Sequence, residues 1–395
     1  MNDVYLAAAV RSPIGRFGGA LKEHSPVDLA APVMEAALDR AEVPGAALDL
    51  YILGNVLRAG QGQLVPRQAA VQAGLPKSVD GYAVDMVCAS SLMALMNGAT
   101  MIKAGEADLI LAGGTESMSD AGFYLDAGAR WGYTFAPDGA DLQDVMHRDG
   151  LSDPTTGEAM GEQTERLCAE VGVDRETLDQ IAATSQQRAA EATEAGRFDA
   201  EQVPIEYETR SGTERLEADE GIRPDTTAEG LASLSPAFRE DGVLTAGNSS
   251  QISDGAAAVL LASPDAVEAH GLVPLARVGS GQWSAGEEWR FPEAPIPAIR
   301  QVLDETGMET EDFDLFENNE AFALNSVLVH RDLDVPLDRL NVHGGAIALG
   351  HPIGASGTRI VVTLLHALRQ HDGQWGLASI CHGTGGGVAL PIERI

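Results

Sequence analysis

The chain has three cysteines, and one of them, Cys88, stands where the sequence pattern changes from strand to helix. The residues before it place Tyr82, Val84 and Met86 on one side at a period of two, whereas residues 89–104 are small and apolar with few helix breakers. The free amides and the positive dipole at a helix N-terminus stabilise a thiolate, so this position predicts a nucleophilic thiol with a lowered pKa. The position also suits a core cysteine, because free cysteines usually pack as small apolar residues.

A histidine and a second cysteine stand in comparable settings later in the chain. His351 lies in residues 341–357, a glycine-rich segment whose small residues allow close approach of the backbone. Cys381 ends the last apolar strand pattern, and Asn319 follows a strand predicted to end at Phe316, where polar residues commonly face a ligand. A thiol needs a base to become a thiolate, and a histidine could serve. Glycine runs alone usually mark turns, and a single histidine is usually a core residue.

Strands and helices alternate along the chain, and the same order occurs twice. The two copies comprise residues 4–7, 27–40, 48–53, 89–104 and 108–114, and then residues 275–278, 298–306, 313–316, 356–368 and 376–381. Cys88 and His351 fall at matching junctions of the two copies. Nearly all-apolar strands alternating with helices predict an α/β fold whose sheets are covered on both faces. We expect two similar halves that pack together through helices.

A segment of different character, roughly residues 116–243, separates the two copies. It is rich in Asp, Glu, Gly and Thr, and it contains one clear helix pair at residues 161–170 and 175–194. A segment of this length is too long to be a plain loop. We expect an inserted lobe that lies over the site and binds a ligand; a disordered acidic insert is the alternative.

The composition is strongly acidic. There are 59 Asp and Glu residues against 26 Lys and Arg residues, which gives a formal net charge of −33 and a sequence pI near 4.4. Acidic disordered chains have few apolar residues, whereas 44% of this chain is hydrophobic. Repulsion among the carboxylates falls as the Debye length drops from about 30 Å at 0.01 M salt to about 3 Å at 1 M. We therefore predict adaptation to molar salt, as in a halophile, and no direct binding of nucleic acid or of an anionic membrane.

Cysteine usage and the N-terminal sequence indicate the compartment. Three cysteines without framework spacing argue against a disulfide-built secreted protein. The N-terminal residues run directly into a strand pattern, without the basic region, apolar run and cleavage site of a signal peptide. We find no uninterrupted apolar stretch of the roughly 18–20 residues that a membrane span needs. We expect a soluble cytoplasmic protein of two or three domains.

Several spaced motifs, taken together, resemble those of the thiolase family from end to end of the chain. They are residues 10–19, 54–57, 67–70, 85–92, 113–119, 245–256, 319–323, 341–357 and 381–387. The resemblance implies a five-layered αβαβα fold, with one half at residues 1–118 plus 244–272, an inserted coenzyme A-binding loop domain at 119–243 and the second half at 273–395. It also implies acyltransferase activity on acyl-CoA substrates and a homodimer or homotetramer.

The resemblance also implies a role for each chemical residue. Cys88 would be acylated by one acyl-CoA while His351 takes its proton. Cys381 would remove the α-proton of a second acetyl-CoA, and the carbanion would attack the acyl-Cys88 thioester to give acetoacetyl-CoA; the reverse reaction cleaves a 3-ketoacyl-CoA. His351 and a water held by Asn319 would form one oxyanion hole, and the backbone amides of Cys88 and Gly383 would form the other.

Substrate contacts are implied in the same way. Ser250 would contact the pantetheine, Met160 and Phe322 would line its tunnel, and Arg223 would lie near the adenine. The resemblance implies no metal and no cofactor other than the coenzyme A thioesters that are the substrates. The insert has no lysine, so the phosphates of coenzyme A would rely on arginines such as Arg210, Arg215 or Arg223.

Three positions depart from the pattern of the family. Ser91 replaces a glycine that is common after the nucleophile. Ala159 stands where short-chain members often have a histidine that touches the acyl group, which leaves the acyl chain length open. His382 follows Cys381 where an apolar residue or asparagine is frequent, and it either tunes the acid or is an idle, surface-facing ring.

Three other functions are compatible with parts of the pattern. A zinc site could use Cys88, His351 and Cys381, but the short ligand spacing of zinc sites is missing. A decarboxylating condensing enzyme would pair a cysteine with two histidines, or with a histidine and an asparagine, and needs no second cysteine. A non-catalytic acyl-CoA-binding or scaffold subunit would have no reason to keep both cysteines, the histidine and the asparagine together. Cys168 is most simply a core residue.

Overall fold

The computed structural model describes residues 3–133 and 139–395. The first half contains β1 (Tyr5–Arg11), β2 (Gly15–Arg16), α1 (Pro26–Ala41), β3 (Leu50–Gly54), α2 (Val65–Gln72), β4 (Asp80–Val84), α3 (Ser90–Ala104) and β5 (Leu109–Ser117). The following segment contains β6 (Phe123–Tyr124), β7 (Gln143–Asp144), α4 (Met160–Val171), α5 (Arg175–Glu194), β8 (Ile205–Thr209), β9 (Gly212–Leu216) and α6 (Ala228–Ala232). The helix pair predicted there is confirmed.

The remaining elements return to the first half and then build the second. They are β10 (Ser253–Ala262), α7 (Pro264–His270), β11 (Ala276–Val278), β12 (Gln282–Ala285), α8 (Pro295–Thr306), β13 (Leu315–Asn318), α9 (Ala323–Leu333), α10 (Ala346–Leu349), α11 (Ser356–Gln370), β14 (Trp375–His382) and β15 (Gly386–Arg394). The repeated order of strands and helices is therefore confirmed, with element ends that differ by a few residues from the prediction.

Eleven of the described strands form one mixed sheet that runs through both halves, and β6–β7 and β8–β9 form two separate two-stranded sheets. The order of the mixed sheet is β13-β14-β15-β11-β1-β10-β5-β3-β4, with β12 on β15 and β2 on β10. The pairs β3–β4, β3–β5 and β13–β14 are parallel, whereas β1, β10, β11 and β15 pair in antiparallel fashion. The short strand β11 joins the two halves, because it pairs with β1 on one side and with β15 on the other.

Two helices lie at the centre of the molecule, between the halves of the sheet. Helices α3 and α11 contact each other and contact strands of both halves, whereas α1 covers the outer face of the first half and α8 and α9 cover that of the second. A Cβ atom at Gly357 would lie 2.4 Å from the backbone nitrogen of Leu92, so glycine permits this close helix contact. The backbone N–H of Thr358 donates to Ser91 Oγ at 2.9 Å across the same contact. The layers alternate helix, sheet, helix, sheet, helix, and this α/β architecture confirms the predicted fold.

The central helix α3 is unusually apolar. Residues Val87–Ala104 are long and apolar enough to cross a membrane by length and composition alone, and 61% of the segment is buried inside the protein. Leu92, Leu95 and Ile102 are fully buried in the main hydrophobic core between the sheet halves. The apolar character of this helix is thus explained by its place in the core.

The segment between the two copies packs on both halves. Leu167 and Leu178, from α4 and α5, join a hydrophobic cluster of the second half, and Cys168 is buried in the same cluster as predicted. Ile205 and Leu216, from the β8–β9 hairpin, join the outer core of the first half. Because its apolar side chains are shared between the two halves, this segment holds them together from outside.

Candidate active site

Cys88 lies in a tight turn between β4 and α3, as the sequence predicts. Val87 has φ of 48°, a left-handed conformation that is strained for a β-branched residue. The hydroxyl of Ser90 accepts from the backbone N–H of Met86 at 2.8 Å and donates to the carbonyl of Val87 at 2.6 Å. These bonds hold the turn in its strained form and fix the direction of the Cys88 side chain.

The electrostatic setting of Cys88 differs from the sequence prediction. The side chain is buried, and burial raises the pKa of the Cys88 thiol to about 12, although the backbone amides of Gly383 and Cys88 act in the opposite direction. The nearby carboxyl of Glu116 raises that pKa further. The predicted lowering of this pKa at a helix N-terminus is therefore wrong, because desolvation by both halves of the chain exceeds the effect of the helix end. Cys88 rests as a neutral thiol.

His351 is a buried, neutral base with a defined tautomer. Its Nδ1 atom lies 2.6 Å from Ser356 Oγ, and the Ser356 hydroxyl donates its only hydrogen to the carbonyl of Pro352 at 2.8 Å. Ser356 must therefore accept from Nδ1–H, which leaves Nε2 unprotonated. Burial, aided by the positive charge of Arg359, lowers the pKa of His351 to about 3. The ring can accept a proton at Nε2.

Asn319 lies beside this histidine, as its sequence position predicts. Its Nδ2 atom is 3.5 Å from both ring nitrogens of His351, at the outer limit of hydrogen-bonding distance. Its Oδ1 atom accepts from Arg359 Nη2 at 3.3 Å, and Arg359 Nη1 lies 3.7 Å from Glu317 Oε2. Glu317, Arg359 and Asn319 thus form a chain of buried polar side chains that leads to His351.

The side chain of Cys381 lies in the same buried region. Its thiol accepts a hydrogen bond from Asn325 Nδ2 at 3.4 Å, and that nitrogen also donates to the carbonyl of Pro292 at 3.0 Å. Burial raises the pKa of the Cys381 thiol, and the proximity of Cys88 raises it further, whereas the bond from Asn325 acts to lower it. The two thiols are therefore neighbours, although their positions in the sequence lie far apart.

The turn between β14 and β15 brings Gly383 to Cys88. Its backbone amide donates to the Cys88 thiol, and a Cβ atom at Gly383 would lie 3.4 Å from Met160 Sδ. His382 is buried, with Nδ1 2.6 Å from the Gly383 carbonyl. The surface-facing interpretation of His382 is wrong, because its ring packs under the backbone of Gly386.

The residues implied in coenzyme A binding fall into two groups. Met160 and Phe322 belong to one apolar cluster beside Cys381, and the backbone N–H of Ser250 donates to the carbonyl of Ala321, next to Phe322, at 2.9 Å. Arg223 lies apart, in a narrow cleft that it lines with Gln186, Leu231, Ala246, Gly247, Gln251 and Ile347. The structure thus brings Met160 and Phe322 into the cluster of Cys381, places Ser250 beside Ala321, and places Arg223 in a separate cleft.

A cavity of about 410 Å³ borders the catalytic turn. Its lining includes Val87, Met160 and Gly383, together with the cationic side chains Arg58 and Arg148. A larger cleft of about 930 Å³, between residues 16–24 and the β8–β9 hairpin, contains neither the thiols nor the imidazole.

Within residues 3–133 and 139–395, no group of three or more His, Cys, Asp or Glu side chains is placed to hold a metal ion.

Glu116 is a second buried carboxyl close to the site. It accepts four hydrogen bonds of 3.0–3.1 Å, from the Asn55 side chain and from the backbone amides of Val56, Leu57 and Gly354. Burial raises its pKa to about 8, against the effect of the three backbone amides. Glu116 therefore ties the loop after β3 to the segment that precedes α11, and so joins the supports of Cys88 and His351.

Sequence reasoning assigned no role to several residues that support the site. They are Glu116, Glu317, Asn325, Ser356 and Arg359. One signal was present in two of them: a charged residue inside an apolar strand, as for Glu317, or inside an apolar helix, as for Arg359. A buried charge in such a place needs a partner, and the partner indicates a polar network.

Comparison with known proteins gives consistent matches over the whole chain. Family models described as "Thiolase, N-terminal domain" and "Thiolase, C-terminal domain" match residues 4–265 and 272–394. An acetyl-CoA acetyltransferase of Synechocystis is 60% identical over 398 residues, which cover all of both chains.

Solved structures agree with this result. The Bacillus anthracis acetyl-CoA acetyltransferase superposes with a TM-score of 0.96 at 40% identity and covers 100% of this chain and 99% of its own. A thiolase from Ascaris suum in complex with coenzyme A superposes with a TM-score of 0.93 at 39% identity over the full length of both chains.

Proposed function

Because the chain belongs to the thiolase family, we propose that it is an acetyl-CoA acetyltransferase that joins two acetyl-CoA molecules into acetoacetyl-CoA and coenzyme A, and that cleaves a 3-ketoacyl-CoA in reverse. One observation carries this proposal: the buried thiols of Cys88 and Cys381 are neighbours, and the neutral base His351 precedes α11, the helix that packs on α3 behind Cys88. One thiol can hold an acyl group while the other moves a proton. A condensing enzyme that forms its carbanion by decarboxylation has no use for the second thiol.

The first half of the reaction acylates Cys88. Its sulfur attacks the thioester carbonyl of acetyl-CoA as its proton passes to Nε2 of His351. Collapse of the tetrahedral intermediate expels the coenzyme A thiolate, which takes that proton and leaves as the thiol. Because the resting thiol and imidazole are both neutral, proton transfer accompanies formation of the carbon–sulfur bond and does not precede it.

The second half forms the carbon–carbon bond. The Cys381 thiol gives its proton to Nε2 of His351, and the resulting thiolate removes an α-proton from a second acetyl-CoA. The enolate then attacks the carbonyl of acetyl-Cys88. The enolate oxygen requires donors, and a water held by Asn319 and Nε2–H of His351 would supply them. The imidazolium carries a hydrogen on each ring nitrogen, so the base of the first step is a donor in the second while Nδ1–H still donates to Ser356 Oγ.

A second set of donors serves the tetrahedral intermediates on Cys88. The backbone amides of Cys88 and Gly383 already converge on its sulfur. The carbonyl oxygen of an acyl group attached to that sulfur would therefore lie beside these amides. When the intermediate collapses, the Cys88 sulfur leaves as a thiolate and takes the Nε2 proton of His351, while the α-proton stays on Cys381. Both thiols and the imidazole return to their starting protonation states.

Substrate binding follows from the placement of the polar and apolar groups. We assign the pantetheine to Ser250, Met160 and Phe322, which lie between the insert and the thiols, and the adenine end to the cleft at Arg223. The cavity of about 410 Å³ beside Val87 and Met160 receives the acyl group. Alanine stands at position 159, directly before Met160, which lines this cavity, so thiolysis of acetoacetyl-CoA and of a longer 3-ketoacyl-CoA should be compared.

The assembly and the compartment belong to the same proposal. Strand β4 ends the sheet, and its outer edge has no strand partner in the described part of the chain. An exposed edge pairs readily with a second copy about a twofold axis. This supports a homodimer, or a homotetramer built from two such dimers. The three reduced cysteines support a cytoplasmic location.

Trapping of the acyl intermediate tests the proposed function. The Cys381→Ala variant incubated with acetyl-CoA should accumulate an acetyl adduct on Cys88, found by intact and peptide mass spectrometry, and should form no acetoacetyl-CoA. Cys88→Ser should carry no adduct at that position and should be inactive. Cys168→Ser is the matched control, because Cys168 is buried like the other two cysteines but lies within α4, outside the turn of Cys88 and the strand of Cys381, and it should keep both activities. Absence of an adduct on Cys88 would contradict the proposal.

A further inference from the structure

Arg359 is a charged residue buried at the centre of the molecule. It lies in the first turn of α11, and its side chain has no exposure to solvent. Nη2 donates to Asn319 Oδ1 at 3.3 Å, and Nη1 lies 3.7 Å from Glu317 Oε2. The guanidinium is not closely paired, because Nε and Nη1 have no hydrogen-bond partner among the described residues. A charge held this deep without close pairing is costly, and this indicates a role beyond packing.

The contact with Asn319 determines which end of its side-chain amide faces His351. A guanidinium has only donors, so it holds the carboxamide oxygen of Asn319 and turns the NH₂ group away from itself. That NH₂ group then lies 3.5 Å from the two ring nitrogens of His351. With the amide reversed, an acceptor would face the place where a substrate oxygen has to be stabilised.

The charge of Arg359 also acts on the histidine directly. After burial, the Arg359 charge is the second cause that lowers the pKa of His351 to about 3. Among the described residues, Arg359 from α11 is the charged side chain that acts on this ring. The Glu317 carboxyl of β13 lies 3.7 Å from Arg359 Nη1, and burial raises the pKa of Glu317 to about 8 although the Arg359 charge acts to lower it. A positive charge beside the ring keeps the imidazole in the form that accepts a proton.

We propose that Arg359 is a positioning residue for the acyl transfer: it holds the amide oxygen of Asn319, aims the NH₂ group of Asn319 at His351, and presents its positive charge to the ring. This inference rests on the proposed function. It predicts two separable effects, because a lysine at position 359 keeps the charge and loses the planar fork that holds Asn319, whereas a methionine loses both.

The test measures single-turnover acetylation of Cys88 by acetyl-CoA from about pH 5 to about pH 7. This range lies below the pKa of about 8 to which burial raises Glu116 and Glu317, so a neutral His351 gives the wild type a flat profile. Arg359→Lys should acetylate about tenfold to a hundredfold more slowly, since small misplacements can cost about a hundredfold, with the profile still flat. Arg359→Met should be slow and should lose rate towards low pH within this range, because removal of a nearby charge shifts a pKa by about 1–3 units. Arg11→Lys is the matched control, because Arg11 is equally buried but pairs with Glu201 and Asp219; it should keep the wild-type rate and profile.

A double variant separates positioning from folding. Glu317→Gln with Arg359→Met replaces the ion pair by neutral groups, which often restores stability. It should melt closer to the wild type than Arg359→Met does and still acetylate slowly, with a rate that falls at low pH. Wild-type rates and flat profiles in Arg359→Lys and in the double variant would overturn the inference while leaving the proposed function intact. A wild-type protein that forms no adduct on Cys88 would instead contradict the proposed function.

Discussion

The Nδ1 atom of His351 lies 2.6 Å from the Oγ atom of Ser356, which in turn donates to the carbonyl of Pro352 at 2.8 Å. A single hydroxyl therefore determines which ring nitrogen is free to accept the proton of Cys88. Because the hydroxyl donates to the carbonyl, it accepts from Nδ1–H whether or not Nε2 carries a proton. This arrangement suits a histidine that acts first as a base and later as a donor through Nε2.

Ser356→Ala should remove that control. We expect the rate of Cys88 acetylation to fall about tenfold to a hundredfold, since general base catalysis contributes about 10²–10⁴-fold and Ser356 supplies part of it. Single-turnover mass spectrometry measures this rate. Thr358→Val is the matched control, because it removes a buried hydroxyl of the same helix that bonds to Ser91 and not to His351. Equal losses in the two variants would assign to Ser356 a purely structural role.

The reactivity of Cys88 should rise steadily with pH in the absence of substrate. Burial raises the pKa of the Cys88 thiol to about 12, so the thiolate fraction and the rate of alkylation by iodoacetamide should increase about tenfold per pH unit from about pH 6 to pH 9. Peptide mass spectrometry follows the modification of Cys88 separately from that of the other cysteines. A rate that is already constant at neutral pH would reveal a preformed thiolate–imidazolium pair and would contradict the neutral resting state.

Asn325 should matter for condensation and not for acylation. Its Nδ2 atom donates to Cys381 Sγ at 3.4 Å, and a hydrogen bond to an ionised group is worth about 1.5–3 kcal/mol. Asn325→Ala should therefore slow acetoacetyl-CoA formation about tenfold to a hundredfold and leave Cys88 acetylation near its wild-type rate. Asn341→Ala is a suitable control, because Asn341 is a buried asparagine that bonds to Asn318 and Glu320 instead of a thiol. Equal slowing of both half-reactions by Asn325→Ala would contradict this assignment.

The sequence was most informative where local pattern determines structure. Apolar residues alternate before Cys88, and small apolar residues follow it. This change of pattern places the turn correctly, because strand and helix have different periods. The matching junction at His351 follows from the repeat in the same way. These predictions depend on neighbours along the chain, and such neighbours are visible in a single sequence.

The electrostatic properties of the site depend on neighbours that are distant in the sequence. A helix N-terminus at Cys88 is a local feature, whereas the desolvation that raises its pKa comes from both halves of the folded chain. The pairing of Glu317 with Arg359 and the bond from Asn325 to Cys381 likewise join different elements. Their side chains meet only after the two halves have packed around α3 and α11.

The net charge of −33 predicts that salt stabilises the protein. Repulsion among exposed carboxylates acts over about 30 Å at 0.01 M salt and is almost fully screened at 1 M, where the Debye length is about 3 Å. The few surface ion pairs lose strength in salt, but each is worth only about 0–1 kcal/mol. The melting temperature should therefore rise from about 0.1 M to about 3 M KCl, the range over which screening becomes nearly complete.

A sucrose series of equal osmolality is the control for this last prediction. Sucrose is excluded from protein surfaces and strengthens apolar burial, yet it does not screen charge. If screening is the cause, KCl should raise the melting temperature more than sucrose does, and most of the rise should occur below about 1 M, where the Debye length changes most. A flat or falling curve in KCl, or an equal rise in sucrose, would show that self-repulsion does not limit the stability of this acidic chain.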